Sequence, residues 1–151
     1  MIGVDSSAEM LERARATFPA PSWLRRDITG WAASDPVDVL YSNAALHWLE
    51  DHDHLLPRLF RQVRPGGVFA FQMPANWDEP THRIPARILD GGDWPERARR
   101  ALVRDRVAAP GHYRRLLVDG ASSLDLWETV YHQELRGDDP VLTWVEGSVL
   151  R

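Results

Sequence analysis

Met1-Ile2-Gly3-Val4-Asp5-Ser6-Ser7-Ala8-Glu9 is the stretch that decides the fold class. An apolar run too short for a helix ends in a carboxylate, and a helix start follows at once. Met1–Asp5 therefore reads as a short buried strand. Ser6 and Glu9 have the spacing of a capping box, whose hydroxyl and carboxylate satisfy orphan amides of the new helix. Met10, Leu11, Ala14 and Phe18 give that helix one apolar face, and Pro19 stops it.

Working outward, the same rhythm repeats. Ser22–Ile28 is a second strand, with Arg25-Arg26 suited to an edge. Val37–Asn43 is a third. His54–Arg64 is a helix with Leu55, Leu56, Leu59, Phe60 and Val63 on one face. Pro65-Gly66-Gly67 breaks it, and Val68–Met73 runs on as a continuous apolar strand of the buried parallel type. Strands alternating with helices imply right-handed crossovers and an α/β layered sheet. After Pro74 the texture changes. Ala75–Pro110 is rich in Trp, Pro, Arg and His and reads as a helical lid over the carboxyl ends of the strands, with helices at Thr81–Leu89 and Pro95–Ala108. A helix at His112–Val118, a long alternating strand at Ser123–Leu135 and a last helix behind Asp139-Pro140, with Val141, Val145 and Val149 stacked, complete the chain. Residues 1–151 are expected to form one domain, with 75–110 as an insertion within it.

Composition narrows the chemistry. With 151 residues, 44% hydrophobic and 26% charged, the chain is globular rather than disordered. A net charge of −4 argues against a binder of nucleic-acid phosphates. The absence of cysteine excludes a disulfide scaffold, thiolate metal sites and a cysteine nucleophile. All 18 basic residues are arginine, which excludes Schiff-base chemistry and a P-loop and reflects coding bias. No apolar run approaches the ~18 residues of a membrane span, so a cytoplasmic location with no membrane partner is expected. Seven tryptophans exceed what one small core requires, and large aromatics line pockets for organic ligands.

Open α/β sheets bind ligands at the carboxyl ends of their strands. The residues there are Asp5, Asp27, Asn43 and Gln72-Met73-Pro74. A carboxylate such as Asp5 suits a ribose diol, and Asp27 is placed to accept from an exocyclic amine such as adenine carries. Taken singly, each is a cap or turn aspartate. The pair together with Asn43, at three successive strand ends, favours a nucleoside.

The run Ile2-Gly3-Val4-Asp5-Ser6-Ser7 with Met10-Leu11 and Ala14-Arg15 resembles the second strand and helix of class I S-adenosylmethionine-dependent methyltransferases. Asp27-Ile28, Asp38–Trp48 and Arg64–Val68 resemble the motifs that follow. The stretch Gln72-Met73-Pro74-Ala75-Asn76-Trp77-Asp78-Glu79-Pro80-Thr81-His82 resembles the trans-aconitate 2-methyltransferase family, as do Tyr131-His132 and Thr143-Trp144-Val145 with Leu150-Arg151. The resemblance implies a Rossmann-like fold, S-adenosyl-L-methionine as cofactor, and methyl transfer to a carboxylate of trans-aconitate or a related small polycarboxylic acid. On it, Asp5, Ser6, Asp27, Ile28 and Asn43 face the cofactor. Trp48, Gln72, Asn76, Trp77, Thr81 and His82 face the substrate, with Trp48 reading equally as a core residue behind the third strand. Arg83 and Arg87 suit its spare carboxylates, and read as readily as solvated arginines on a helix. No catalytic base is assigned.

That family's first strand with its glycine-rich loop, and its last strand, have no counterpart between Met1 and Arg151. The chain therefore reads as the middle of a methyltransferase truncated at both ends. It is expected to bind S-adenosylmethionine weakly or not at all, and to self-associate through exposed sheet edges. Other readings are a non-catalytic remnant acting by protein association, and another small-molecule or acyl methyltransferase. Asp51-His52-Asp53-His54 mimics a metal cluster, but helix positions two apart share no face, and a helix start explains its aspartates; no metal is expected. No Gly-x-Ser-x-Gly elbow supports a serine hydrolase. Arg97–Arg106, in an acidic chain, reads as a solvated helix face.

Overall fold

A computed structural model describes residues 1–96 and 107–146. The expected helix at Pro95–Ala108, the Arg97–Arg106 face and Val149 fall wholly or largely outside the described residues. The fold is α/β. Strand β1 (Ile2–Asp5) leads through helix α1 (Ala8–Thr17) to β2 (Ser22–Arg25), and the two strands pair in parallel with Gly3 opposite Trp23 and Asp5 opposite Arg25. The crossover is held by side chains bonding to backbone. Trp23 Nε1 donates to the Phe18 carbonyl at 2.9 Å, and Arg15 donates to the Trp23 carbonyl at 3.0 Å. Gly3 is required here because a Cβ would run into the Trp23 ring.

Three local expectations are corrected. The cap of α1 is Ser7, not Ser6: its Oγ accepts the Met10 amide at 3.2 Å, while Glu9 reaches forward to Arg13 at 2.8 Å. Of the expected apolar face only Leu11 is buried, at 1% exposure, whereas Met10 and Phe18 are exposed. Strand β2 stops at Arg25, so Asp27 and Ile28 lie beyond it in a turn. The turn competes with the ladder because Asp27 and Thr29 bond each other.

β3 (Val37–Asn43) and β4 (Val63–Gln72) form a second two-stranded sheet. The Val37 amide donates to the Gln62 carbonyl at their starts and the Ala44 amide to the Gln72 carbonyl at their ends, so the strands run the same way. β4 begins before Pro65-Gly66-Gly67, which sits inside the strand rather than ahead of it. Gly66 has φ 78°, and a Cβ on Gly67 would stand 2.6 Å from the Asp38 carbonyl oxygen. Arg64 Nε bonds Asp38 across the pair at 2.5 Å. Helix α2 (His52–Phe60) lies between them in sequence and buries Leu55, Leu56 and Leu59; Val63, expected on its face, already belongs to β4. The pairs β1–β2 and β3–β4 form two separate two-stranded sheets.

The chain divides into two units, Met1–Tyr41 with Asp51–Ala70, and Ser42–Glu50 with Phe71–Arg151. The first buries Leu11, Leu40, Leu55, Leu56 and Leu59, with Phe60 stacked on Phe69. Leu40 faces this core, while its strand neighbours Val39 and Tyr41 are exposed, so β3 is covered on one face only. The second unit contains the end of β4, a 3-10 turn at Leu46–Trp48, α3 (Pro80–Asp90), α4 (Pro110–Leu117) and α5 (Pro140–Glu146). It buries Leu46, Tyr113, Leu117 and Val145, and Tyr113 meets Phe71 edge-on. The strand expected at Ser123–Leu135 does not form. The segment makes no ladder, and Trp127 and Tyr131 are 79% and 80% exposed. Alternation of apolar residues makes a strand only where a neighbouring edge offers bonds.

Candidate functional site

The nucleoside candidates gather in the first unit. Asp5 closes β1, and its Oδ1 accepts the Ser7 amide at 2.7 Å, which turns the chain into α1. The Arg26 amide donates to the Asp5 carbonyl at 3.0 Å, so Asp27 leaves the neighbouring strand at the same end. Both carboxylates are exposed. Asp27 Oδ1 accepts from the Thr29 hydroxyl at 2.7 Å and the Thr29 amide at 2.8 Å; these two bonds hold its carboxyl below the usual aspartate value. Asp27 is therefore a turn aspartate, and Oδ1 is already occupied. Ser6 lies beside Asp5 and lends its carbonyl to Arg25 Nε at 3.2 Å. Ile28 is half-buried, with its carbonyl bonded to Arg58. Asn43 closes β3 and belongs to the second unit, beside the Ala44–Gln72 bond.

The acceptor candidates form a local cluster in the second unit. The chain turns after β4, where the Asn76 carbonyl accepts the Glu79 amide at 3.1 Å, and enters α3 at Pro80. Trp77 and His82 meet edge to face at 4.9 Å, and Thr81 Oγ1 lies 3.2 Å from His82 Nδ1. Among the described residues the buried Trp77 indole N–H meets no acceptor, a costly arrangement. Trp77, Thr81 and His82 are thus brought together, while Asn76 bonds through its backbone carbonyl to Glu79. Gln72 is exposed at the end of β4. Trp48 is 54% exposed and packs on His47 with ring centroids 4.8 Å apart, so it is not a core residue. Arg83 and Arg87 are exposed on α3, where Arg87 lines an open cleft of about 320 Å³ with Ile84 and Ile88.

At Asp51-His52-Asp53-His54, Asp51 takes the N-cap position of α2 with φ 56°, yet its side chain makes no cap bond. It turns instead to His54 Nδ1 at 2.7 Å, a bond that raises the His54 pKa and lowers that of Asp51. Among the described residues no three His, Cys, Asp or Glu side chains converge as metal ligands, and no helix is long and apolar enough to cross a membrane.

Sequence reasoning missed Thr29 and Arg58. An Asp-x-Thr spacing signals the turn at Thr29. Arg58 acts on carbonyls about thirty residues away in sequence, and no local pattern announces such a contact.

A family model described as a methyltransferase domain matches residues 1–71. The trans-aconitate 2-methyltransferase of Azoarcus sp. (strain BH72) is 43% identical over 151 residues, covering 100% of this chain and 59% of that protein. The similarity to that protein runs over the whole length of this chain. The protein of the same name from Yersinia pestis (strain Pestoides F) is 36% identical over 152 residues, with the same coverage. The chain thus spans 59% of the length of these curated relatives. A crystal structure of an S-adenosylmethionine dependent methyltransferase from Mesorhizobium loti is 33% identical, with a TM-score of 0.46, over 56% of this chain and 39% of that one.

Proposed function

We propose that this chain carries the nucleoside-binding and acceptor-binding segments of an S-adenosylmethionine-dependent methyltransferase that esterifies a carboxylate of trans-aconitate or a related small polycarboxylic acid. The observation that carries the reading is the pair of exposed carboxylates, Asp5 and Asp27, at the same end of two hydrogen-bonded parallel strands. The fit to a nucleoside is chemical: a carboxylate accepts from two vicinal hydroxyls, and the second oxygen of Asp27 suits an exocyclic amine. Asp5 and Ser6 then hold the ribose, and Asp27 and Ile28 the base. When bound, the cofactor supplies an electrophilic methyl group on a sulfonium.

The protein's remaining task is positioning. A carboxylate acceptor with pKa near ~4 is already an anion at neutral pH, so no general base is needed. Asn76, Trp77, Thr81 and His82 grip the acid, with Gln72 and Trp48 beside it, and Arg83 and Arg87 neutralise its spare carboxylates. The 75–110 insertion acts as the lid that excludes water. Alignment of this kind supplies up to about 7–11 kcal/mol in well-oriented systems. The names of the Azoarcus and Yersinia relatives support trans-aconitate as the acid.

The test is a chimera in which this chain replaces the matching segment of the Azoarcus relative. Radiolabelled methyl transfer is measured with several di- and tricarboxylates. Transfer to trans-aconitate in preference to monocarboxylates is expected, and an active chimera that prefers monocarboxylates contradicts the acid assignment. For the chain by itself we infer a second property, self-association, supported by the uncovered face of β3 and the exposed apolar side chains of residues 126–131. Sedimentation velocity should show a dimer or larger species; a monomer at high concentration contradicts it.

A further inference from the structure

We propose that Arg58 is a positioning residue that fixes Asp27 for the nucleoside by clamping the turn behind it. Arg58 stands in the last turn of α2 and is half-buried. One guanidinium nitrogen donates to the Ile28 carbonyl and the other to the Trp31 carbonyl, each at 2.6 Å. Ile28 directly follows Asp27, so the clamp acts on the peptide next to the carboxylate. The turn's internal backbone bonds, Gly30 to Asp27 at 3.2 Å and Trp31 to Ile28 at 3.4 Å, are long. Among the described residues its flanks are held by the Arg26 amide, which donates to the Asp5 carbonyl at 3.0 Å, and by Gln62, whose Oε1 accepts the Ala33 amide at 2.6 Å; between them Arg58 is the anchor.

Two carbonyls three residues apart, addressed by two nitrogens of one planar group, require the arginine fork. A lysine ammonium is a point charge without that geometry. The chain lacks lysine altogether, but here the guanidinium shape has a definite use. Asp27 Oδ1 is committed to Thr29, which leaves its second oxygen for a ligand, and the direction of that oxygen depends on where the turn is held. Arg58 touches no part of the proposed ligand. Its effect passes through the backbone of Ile28 to Trp31.

The inference rests on the nucleoside reading of Asp5 and Asp27, and the experiment separates the two. The Azoarcus chimera and its Arg58→Lys and Arg58→Gln variants are titrated with adenosine at millimolar concentration while backbone amide shifts are followed. The Asp27 carboxyl is titrated by carbon NMR in parallel. In the parent chimera adenosine is expected to shift the Ser6–Ser7 and Ile28–Thr29 amides. In both variants the adenosine affinity should fall about tenfold, the Ile28–Thr29 shifts should vanish, and the Asp27 pKa should return to its ordinary 3.8. Unchanged β1 and α1 amide shifts confirm that the variants remain folded there. Variants that keep both the affinity and the depressed Asp27 pKa overturn the role of Arg58 and leave the nucleoside reading standing. A parent chimera that shows no adenosine shift at either strand tip overturns both, whatever the Asp27 titration does.

Discussion

Two segments of similar texture meet opposite fates. Met1–Arg25 and Ser123–Leu135 both present apolar residues in a strand pattern. The first becomes a parallel pair with a crossover helix, closed by Trp23 and Arg15 on backbone carbonyls and by Leu11 beneath. The second is unladdered and largely exposed. The difference is supply of partners. β1 receives a neighbouring strand within about twenty residues, delivered by its own helix, whereas Ser123–Leu135 has no strand beside it among the described residues. Pattern makes a segment competent for a sheet, and an available edge makes it a strand.

The strongest way to break this contrast is to remove one side chain from each segment. Leu11→Ala deletes the buried anchor of α1 and should cost about 2–5 kcal/mol in urea denaturation. Trp127→Ala, although it deletes a larger side chain, should change stability by no more than ~0.5 kcal/mol. Equal losses would mean that residue 127 is packed in solution. A smaller effect sharpens how the first segment is closed. Ser7→Ala removes the α1 cap and should cost about 0.5–2 kcal/mol, while Ser6→Ala should cost nothing measurable in the same assay. The reverse order would restore the capping box anchored on Ser6.

The smallest effect lies outside both segments, at the exposed Asp51–His54 pair. The bond from Asp51 raises the His54 pKa above its ordinary 6.5. A histidine with a raised folded pKa stabilises most below its unfolded value and loses that contribution as pH rises through the folded one. Proton NMR should find His54 titrating above 6.5, and Asp51→Asn should bring it back. A His54 pKa at or below 6.5 in the parent chain contradicts the pair.

Much of the fold was legible because periodicity reports burial. The bounds of β3 coincide with Val37–Asn43, and α3 and α4 fall within two residues of expectation. Two further misreadings share a cause: short polar side chains choose backbone partners on geometry that spacing does not encode. Ser7 rather than Ser6 reached the Met10 amide, and Asp27 bonded to Thr29 instead of extending β2. Glycine pairs misled for a related reason. Pro65-Gly66-Gly67 was expected to turn the chain, yet it lets β4 approach the Asp38 carbonyl. At the site, the clustering of Trp77, Thr81 and His82 was visible because they are close in sequence. Arg58 was not, since its partners are brought to it only by the fold.

The most direct measurement is isothermal titration of S-adenosylhomocysteine into the Azoarcus chimera and into its Asp5→Asn and Asp27→Asn variants. If the two strand-tip carboxylates hold the nucleoside, each variant should bind roughly ten- to a hundredfold more weakly than the parent chimera. Parent-like affinity in both variants would contradict it.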